Sequence, residues 1–143
     1  MALNVKSRNN LVMAGVLAVL VGLYAFQATQ KQQRQYSFAD PNVIGNGKPV
    51  LLEFSSYYSR PCREMMPVLQ QLDKEYPSVF TVALADIWKE EKLTEQYEIS
   101  IIPTQIFFDG QGKELFRHEG FYPAEQILTK WKELGIEPGT KNE

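Results

Sequence analysis

The chain has one cysteine and one histidine in 143 residues, and neither charge is in marked excess. A single thiol cannot close a disulfide within the chain, and one Cys with one His cannot furnish a structural zinc site. Lys and Arg number 15 against 17 Asp and Glu, a formal net charge of -2 with a pI near 5.5. Nothing therefore draws the molecule as a whole to a polyanion, and without a local basic patch a nucleic-acid partner is excluded. Internal repeats and low-complexity runs are also missing. What is present is a chain of one-domain size, 44% hydrophobic, with enough apolar residues to bury a core without covalent staples. Whatever the thiol does, it does alone or with another molecule.

The first thirty residues differ from the rest. Lys6 and Arg8 precede an uncharged run from Leu11 to Phe26, and the next charge is Lys31. As a helix that run spans about 24 Å, and Asn10 with Gln27 to Thr29 bring it close to the roughly 30 Å of a bilayer's hydrocarbon core. Residues 1–29 thus read as an N-terminal signal anchor, a single transmembrane helix. A cleaved signal peptide has the same charged start and apolar middle, but the small residues expected before a cut are missing near Ala25 and Ala28, where the third positions back are Leu23 and Phe26. Residues 30–36 are polar without an apolar period and read as a linker. A folded domain is expected over 37–143.

Within that domain the pattern alternates. Pro49 to Phe54 is a short apolar run behind Gly45, Gly47 and Pro49, the form of a strand covered on both faces. Arg60 to Tyr76 carries Met65, Met66, Leu69 and Leu72 at helical spacing, and Pro77 ends it. Phe80 to Ile87 is a second buried strand and Lys89 to Tyr97 a short charged helix. Thr104 to Phe108 and Glu114 to His118 are strands joined by the turn sequence Asp109-Gly110-Gln111-Gly112. Pro123 to Leu134 closes as an amphipathic helix with Ile127, Leu128, Trp131 and Leu134 inward. The order β-α-β-α-β-β-α predicts an α/β fold: a mixed sheet, first two strands parallel and last two a hairpin, with helices on both faces.

The first strand-to-helix crossover reads Glu53-Phe54-Ser55-Ser56-Tyr57-Tyr58-Ser59-Arg60-Pro61-Cys62, with Pro67 five residues on. This segment resembles the active site of the thioredoxin family, where a strand ending in an acid and an aromatic runs into W-C-x-P-C and a proline follows at the same distance. Ile101-Ile102-Pro103-Thr104 resembles that family's cis-proline loop. Asp86-Ile87-Trp88-Lys89, Phe108-Asp109-Gly110 and His118-Glu119-Gly120-Phe121 resemble membrane-tethered extracytoplasmic members more than the small cytosolic ones. The resemblance runs from Lys48 to the C-terminus and implies a thioredoxin fold behind the membrane helix.

It also implies roles. Ser59 stands where the family has its attacking Cys, a replacement that can be natural or engineered. Serine keeps the ability to cap a helix and loses the sulfur chemistry, and the only His, His118, lies far along the chain, so a serine hydrolase is not supported. Cys62 matches the resolving thiol, which the resemblance places inside the helix. Read by itself, Cys62 is equally a small buried hydrophobe, but its spacing from Pro61 and Pro67 argues for an active-site remnant. Glu53 interrupts an apolar strand; a buried carboxyl there is held neutral, and the family uses an acid here to relay a proton, whereas a solvent-facing strand-end Glu is the plainer alternative. Tyr58, Arg60, Pro61, Ile102 and Pro103 are the substrate-binding candidates. Pro103 is expected in the cis form, leaving the Ile102 backbone for a substrate strand, with a trans proline at the strand start as the alternative. His118 reads as a solvent-facing strand residue with no second ligand.

Three functions share this fold. The first is a membrane-anchored thiol-disulfide oxidoreductase acting on exported protein disulfides, redox-impaired in the form with Ser59. The second is a redox-silent binding module that holds partner polypeptides at the surface from Tyr58 to Cys62 and the Ile102-Pro103 edge. The third is monothiol chemistry at Cys62. The resemblance further implies partners in protein thiols and disulfides, electrons from a transmembrane thiol carrier, and a domain on the extracytoplasmic side of the cytoplasmic (inner) membrane. No cofactor or metal is required, because thiol exchange uses neither.

Overall fold

A computed structural model describes residues 13–26 and 38–139. Contacts divide the chain into two units, Met1–Ser37 and Phe38–Glu143. In the first, residues 13–26 form helix α1, with its large apolar side chains exposed. Among the described residues no helix is long and apolar enough to cross a membrane. The first two residues of the expected anchor's apolar run, Leu11 and Val12, the flanks it borrows, Asn10 and Gln27 to Thr29, and the linker 30–36 lie outside the described residues.

The second unit is built on strands β1 (Val50–Ser55), β2 (Thr81–Asp86), β3 (Thr104–Phe108) and β4 (Glu114–Glu119), with helices α2 (Arg60–Glu75), α3 (Glu91–Gln96) and α4 (Ala124–Glu133). The sheet order is β2-β1-β3-β4. β1 runs parallel to β2 and antiparallel to β3, and β3 and β4 form the hairpin. Every residue of β1 and β3 is buried, as continuous apolar runs at the middle of a covered sheet demand.

Alternation along the strands sends side chains to two cores. Leu51, Val82 and Phe107 meet Met65, Leu69 and Leu72 of α2 and Ile127 and Trp131 of α4. On the other face Val50, Leu52, Phe54, Ala83, Ala85, Ile106 and Phe108 pack with Leu93 of α3 and with Tyr97 and Ile99 beyond it. Each fully buried Leu or Phe contributes about 1.5–3 kcal/mol, so these clusters are the main source of stability. Phe107 and Trp131 lie with ring centroids 4.6 Å apart and Phe80 and Trp131 5.1 Å, tying sheet to α4.

Several boundaries differ from the sequence reading. The charged helix expected from Lys89 covers only Glu91–Gln96, because Asp86 folds the preceding residues into a turn, its carboxylate accepting from the Trp88 N–H at 3.0 Å. Pro123 caps α4 rather than joining it. A short 3-10 turn at Pro41–Val43, capped by Asp40, and a bridge from Ala39 to Ala83 precede β1. Their polar, broken pattern carries no period by which the sequence could reveal them. α2 continues through Pro67, which costs the helix one N–H donor.

The β3–β4 turn depends on a close approach. A Cβ on Gly110 would lie 2.7 Å from the Gly47 carbonyl oxygen, which belongs to a backbone that cannot step aside. The Gly47 N–H also donates to the Gly110 carbonyl at 2.8 Å. Gly110→Ala is expected to lower unfolding stability by about 2 kcal/mol in urea titrations. An unchanged midpoint would show that this contact is not tight in solution.

Candidate functional site

β1 and β2 point their C-terminal ends to the edge of the sheet where β3 begins, since Phe54 pairs with both Ala85 and Thr104. Such an edge, next to a helix N-terminus, is where α/β sheets offer a ligand backbone donors and a dipole. The chain leaves β1 at Ser55 and turns at Ser56, whose carbonyl accepts from the Ser59 N–H at 3.1 Å. Ser59 is the N-cap of α2, half-buried and with extended backbone; its carbonyl accepts from Arg63 N–H at 3.1 Å, and its hydroxyl makes no capping bond. The capping ability expected of this serine is therefore unused, and its side chain is left with no helix task.

Pro61 occupies the first turn, where its missing N–H costs nothing. Cys62, one turn in from Ser59, is free and 1% exposed. Tyr58 is 83% exposed beside Tyr57, with ring centroids 5.9 Å apart. Arg60 is exposed and paired with Glu64 at 3.0 Å, a contact between exposed groups that contributes little. Arg63 donates to the Tyr57 carbonyl at 3.1 Å and so braces the loop.

Across the edge, the Ile102-Pro103 peptide is cis. Pro103 is buried, Ile102 half-buried and Ile101 exposed. Thr104 Oγ1 donates to the Ile101 carbonyl at 2.7 Å and Gly120 N–H to the Pro103 carbonyl at 2.7 Å, so the bend is held from both sides.

Beneath this surface Glu53 is wholly buried, which removes the solvent-facing alternative. Its carboxyl accepts from Gln105 Nε2 at 2.8 Å. Burial pushes its pKa from 4.5 up to about 8, the Gln105 bond pulling the other way. Glu53 thus holds its proton at neutral pH and releases it just above.

Two residues at the site escape sequence reasoning. Trp88, 66% exposed, donates from Nε1 to Ser56 Oγ at 3.2 Å and stands beside the loop leading to Ser59. Its position just past the end of β2 was the available signal. Gln105 is an uncharged polar residue in the run Thr-Gln-Ile-Phe-Phe, legible only once the β1–β3 register sets it opposite Glu53. His118 also needs correction. It is half-buried rather than solvent-facing, its ring stacked on Tyr122 at 3.9 Å, because β4 turns this side chain toward α4's face of the sheet. Among the described residues no cluster of His, Cys, Asp and Glu is placed to hold a metal.

A mixed four-stranded sheet with helices on both faces, a helix opening on Ser-x-Pro-Cys at its edge and a cis-proline at the same end of the sheet define a protein of thioredoxin architecture. A sequence model of the family described as thioredoxin matches residues 29–133, and the chain belongs to that family. It is 37% identical over 94 residues to the thioredoxin of Chlamydia trachomatis, covering 66% of this chain and 87% of that one. It is 31% identical over 99 residues to the chloroplastic thioredoxin Y of rice, 69% of this chain and 58% of the relative. Among solved structures it is similar to the germline-specific thioredoxin Deadhead of Drosophila melanogaster, with a TM-score of 0.57, 28% identity, and 63% and 84% of the two chains covered.

Proposed function

We propose that this chain carries the frame of a thiol-disulfide oxidoreductase acting on protein disulfides, with Ser59 in place of the attacking thiol, so that the chain as it stands is impaired in dithiol exchange. What supports this reading is Ser59 and Cys62 at the start of one helix, a wholly buried Glu53 in the strand that leads to it, and a cis Ile102-Pro103 peptide just ahead of the neighbouring strand β3. With a thiol at 59, the steps balance as follows. The position-59 thiolate forms a bond to one sulfur of the substrate disulfide as the other leaves as a thiolate. Cys62 then gives up its proton to Glu53 in the fraction of molecules that hold it as a carboxylate. The Cys62 thiolate attacks the position-59 sulfur of the mixed disulfide, forming a 59–62 disulfide and releasing the second substrate sulfur as a thiolate; both substrate thiolates take protons from solvent. Tyr58, Arg60, Pro61 and the Ile102-Pro103 edge bind the substrate. A dithiol reductant or a membrane thiol carrier restores the pair. Reduction of insulin by the Ser59→Cys protein beside the unaltered chain tests this.

A second reading has its own support. Tyr57, Tyr58, Trp88 and Ile101 are exposed around the same edge, an apolar surface that suits a module holding extended polypeptides without redox chemistry. Persistent inactivity of the Ser59→Cys protein would favour it.

The location of the domain is likewise proposed. The uncharged run from Leu11 to Phe26 supports a single-pass anchor with the folded unit on the extracytoplasmic side. Protease protection in sealed vesicles of known orientation tests it, and cleavage of the domain from the cytoplasmic face would overturn it.

Monothiol chemistry requires an accessible Cys62. At 1% exposure it is expected to react with a neutral aromatic disulfide reagent only when denaturant is added. Stoichiometric labelling of the native chain within minutes would revive the monothiol reading.

A further inference from the structure

Glu53 and Gln105 face each other across the β1–β3 pair, both 0% exposed. They share one bond, Gln105 Nε2 donating to Glu53 Oε2, and their remaining oxygens, Glu53 Oε1 and Gln105 Oε1, have no partner. The pair suits both protonation states. A carboxylate only accepts, and the amide N–H meets it; a neutral carboxyl, which burial favours, still accepts through one oxygen and gains an O–H donor, for which the unpartnered Gln105 Oε1 is the acceptor at hand.

We propose that Gln105 is the positioning residue for Glu53, its amide N–H donating to either form and its Oε1 accepting from the carboxyl O–H once Glu53 is protonated, so that one uncharged side chain serves Glu53 before and after proton transfer. Nothing charged competes. Of the titratable side chains on the elements covering this face, Cys62 of α2, Tyr76 at its end and Tyr122 ahead of α4 are buried, whereas the charged side chains of α2 and α4 are not; His118 of β4, half-buried, pairs with Gln105 on the side away from Glu53. The influences on Glu53 are burial and the Gln105 bond, with no charge–charge contribution. β2 sets Leu84 opposite Glu53, so the second neighbouring strand supplies no partner. The bearing of this pair on catalysis rests on the thiol-exchange reading; the pairing of the two side chains does not.

Carboxyl carbon-13 and side-chain amide nitrogen-15 spectra of the full chain, recorded from pH 5 to 10, test the proposal. Glu53 is expected to titrate near 8, and the Gln105 amide signals to move with the same midpoint. Gln105→Leu is expected to raise the Glu53 midpoint by about one pH unit, because the charge-assisted bond it removes is the stronger of the two. Glu53→Gln should abolish the pH response of Gln105. Gln105 signals that stay fixed through the Glu53 titration would overturn the proposal in the unaltered chain, whether or not the variants fold. An unmoved midpoint in folded Gln105→Leu would do the same. In the Ser59→Cys protein, Gln105→Leu should displace the Glu53-dependent limb of the pH–rate profile by the same unit. Inactivity of Ser59→Cys itself would count against thiol exchange, while the spectra alone decide the fate of the amide.

Discussion

Ser59→Cys is expected to raise insulin reduction by dithiothreitol over the unaltered chain by about two orders of magnitude or more. The argument is chemical. A serine hydroxyl stays protonated at neutral pH without an adjacent base, and the sole histidine is committed elsewhere, stacked on Tyr122. A thiol at the same N-cap position faces the unpaired N–H groups and positive end of α2, which favour a thiolate. The α2 N-terminus needs no rebuilding, because the Ser59 hydroxyl makes no capping bond that sulfur would lose. Cys62 sits one turn on and is buried, which suits the resolving step of the proposed exchange. Turnover by Ser59→Cys that stays at the level of the unaltered chain would transfer the site to the binding-module reading. In that case Tyr58→Ala, at the most exposed aromatic of the edge, becomes the informative change.

Stability should decline as pH rises from about 5 to 8, and Glu53 is the reason. Its carboxyl has a pKa of about 8 when folded, against 4.5 for an unperturbed group. Between those values the folded protein holds a proton that the unfolded chain has released. Raising the pH through this window therefore favours unfolding, at about 1.4 kcal/mol per unit, up to about 5 kcal/mol in all. The contribution is fully present below the lower value, is lost progressively up to the higher one, and changes no further above it. Tyr97 and Tyr122, raised by burial from 10, titrate beyond the window. Urea unfolding of the full chain at intervals from pH 5 to 9 reads the slope directly. Glu53→Gln, neutral at every pH, should flatten it and leave the variant more stable than the unaltered chain at pH 9. A flat profile for the unaltered chain, or an equal decline in the variant, would show that Glu53 is not held neutral by its surroundings.

The elements were legible because each had a period of its own. Continuous apolar runs marked β1 and β2, the spacing of Met65, Leu69 and Leu72 marked α2, and Asp109-Gly110 marked the hairpin. Trp88 was harder, since an aromatic outside a strand or helix has no period; its position at the site comes from the Asp86 turn and the bond to Ser56. His118 was misjudged for a related reason. Alternation along β4 is blurred by the irregular register at Phe107/Phe108, and only the pairing with Gln105 shows which face this ring takes.

By itself, the order of residues determined the strand-helix alternation, the single uncharged run near the start, and the Ser-x-Pro-Cys segment with its distant Ile-Pro companion. These are local patterns, dictated by steric preference and by the need to bury apolar side chains every second or every third to fourth residue. The tertiary structure alone decided that Glu53 has no solvent and one uncharged partner. Gln105 lies fifty-two residues away, and nothing in either neighbourhood specifies the other until the antiparallel register of β1 and β3 brings them together in a medium too apolar to leave a carboxylate unaided.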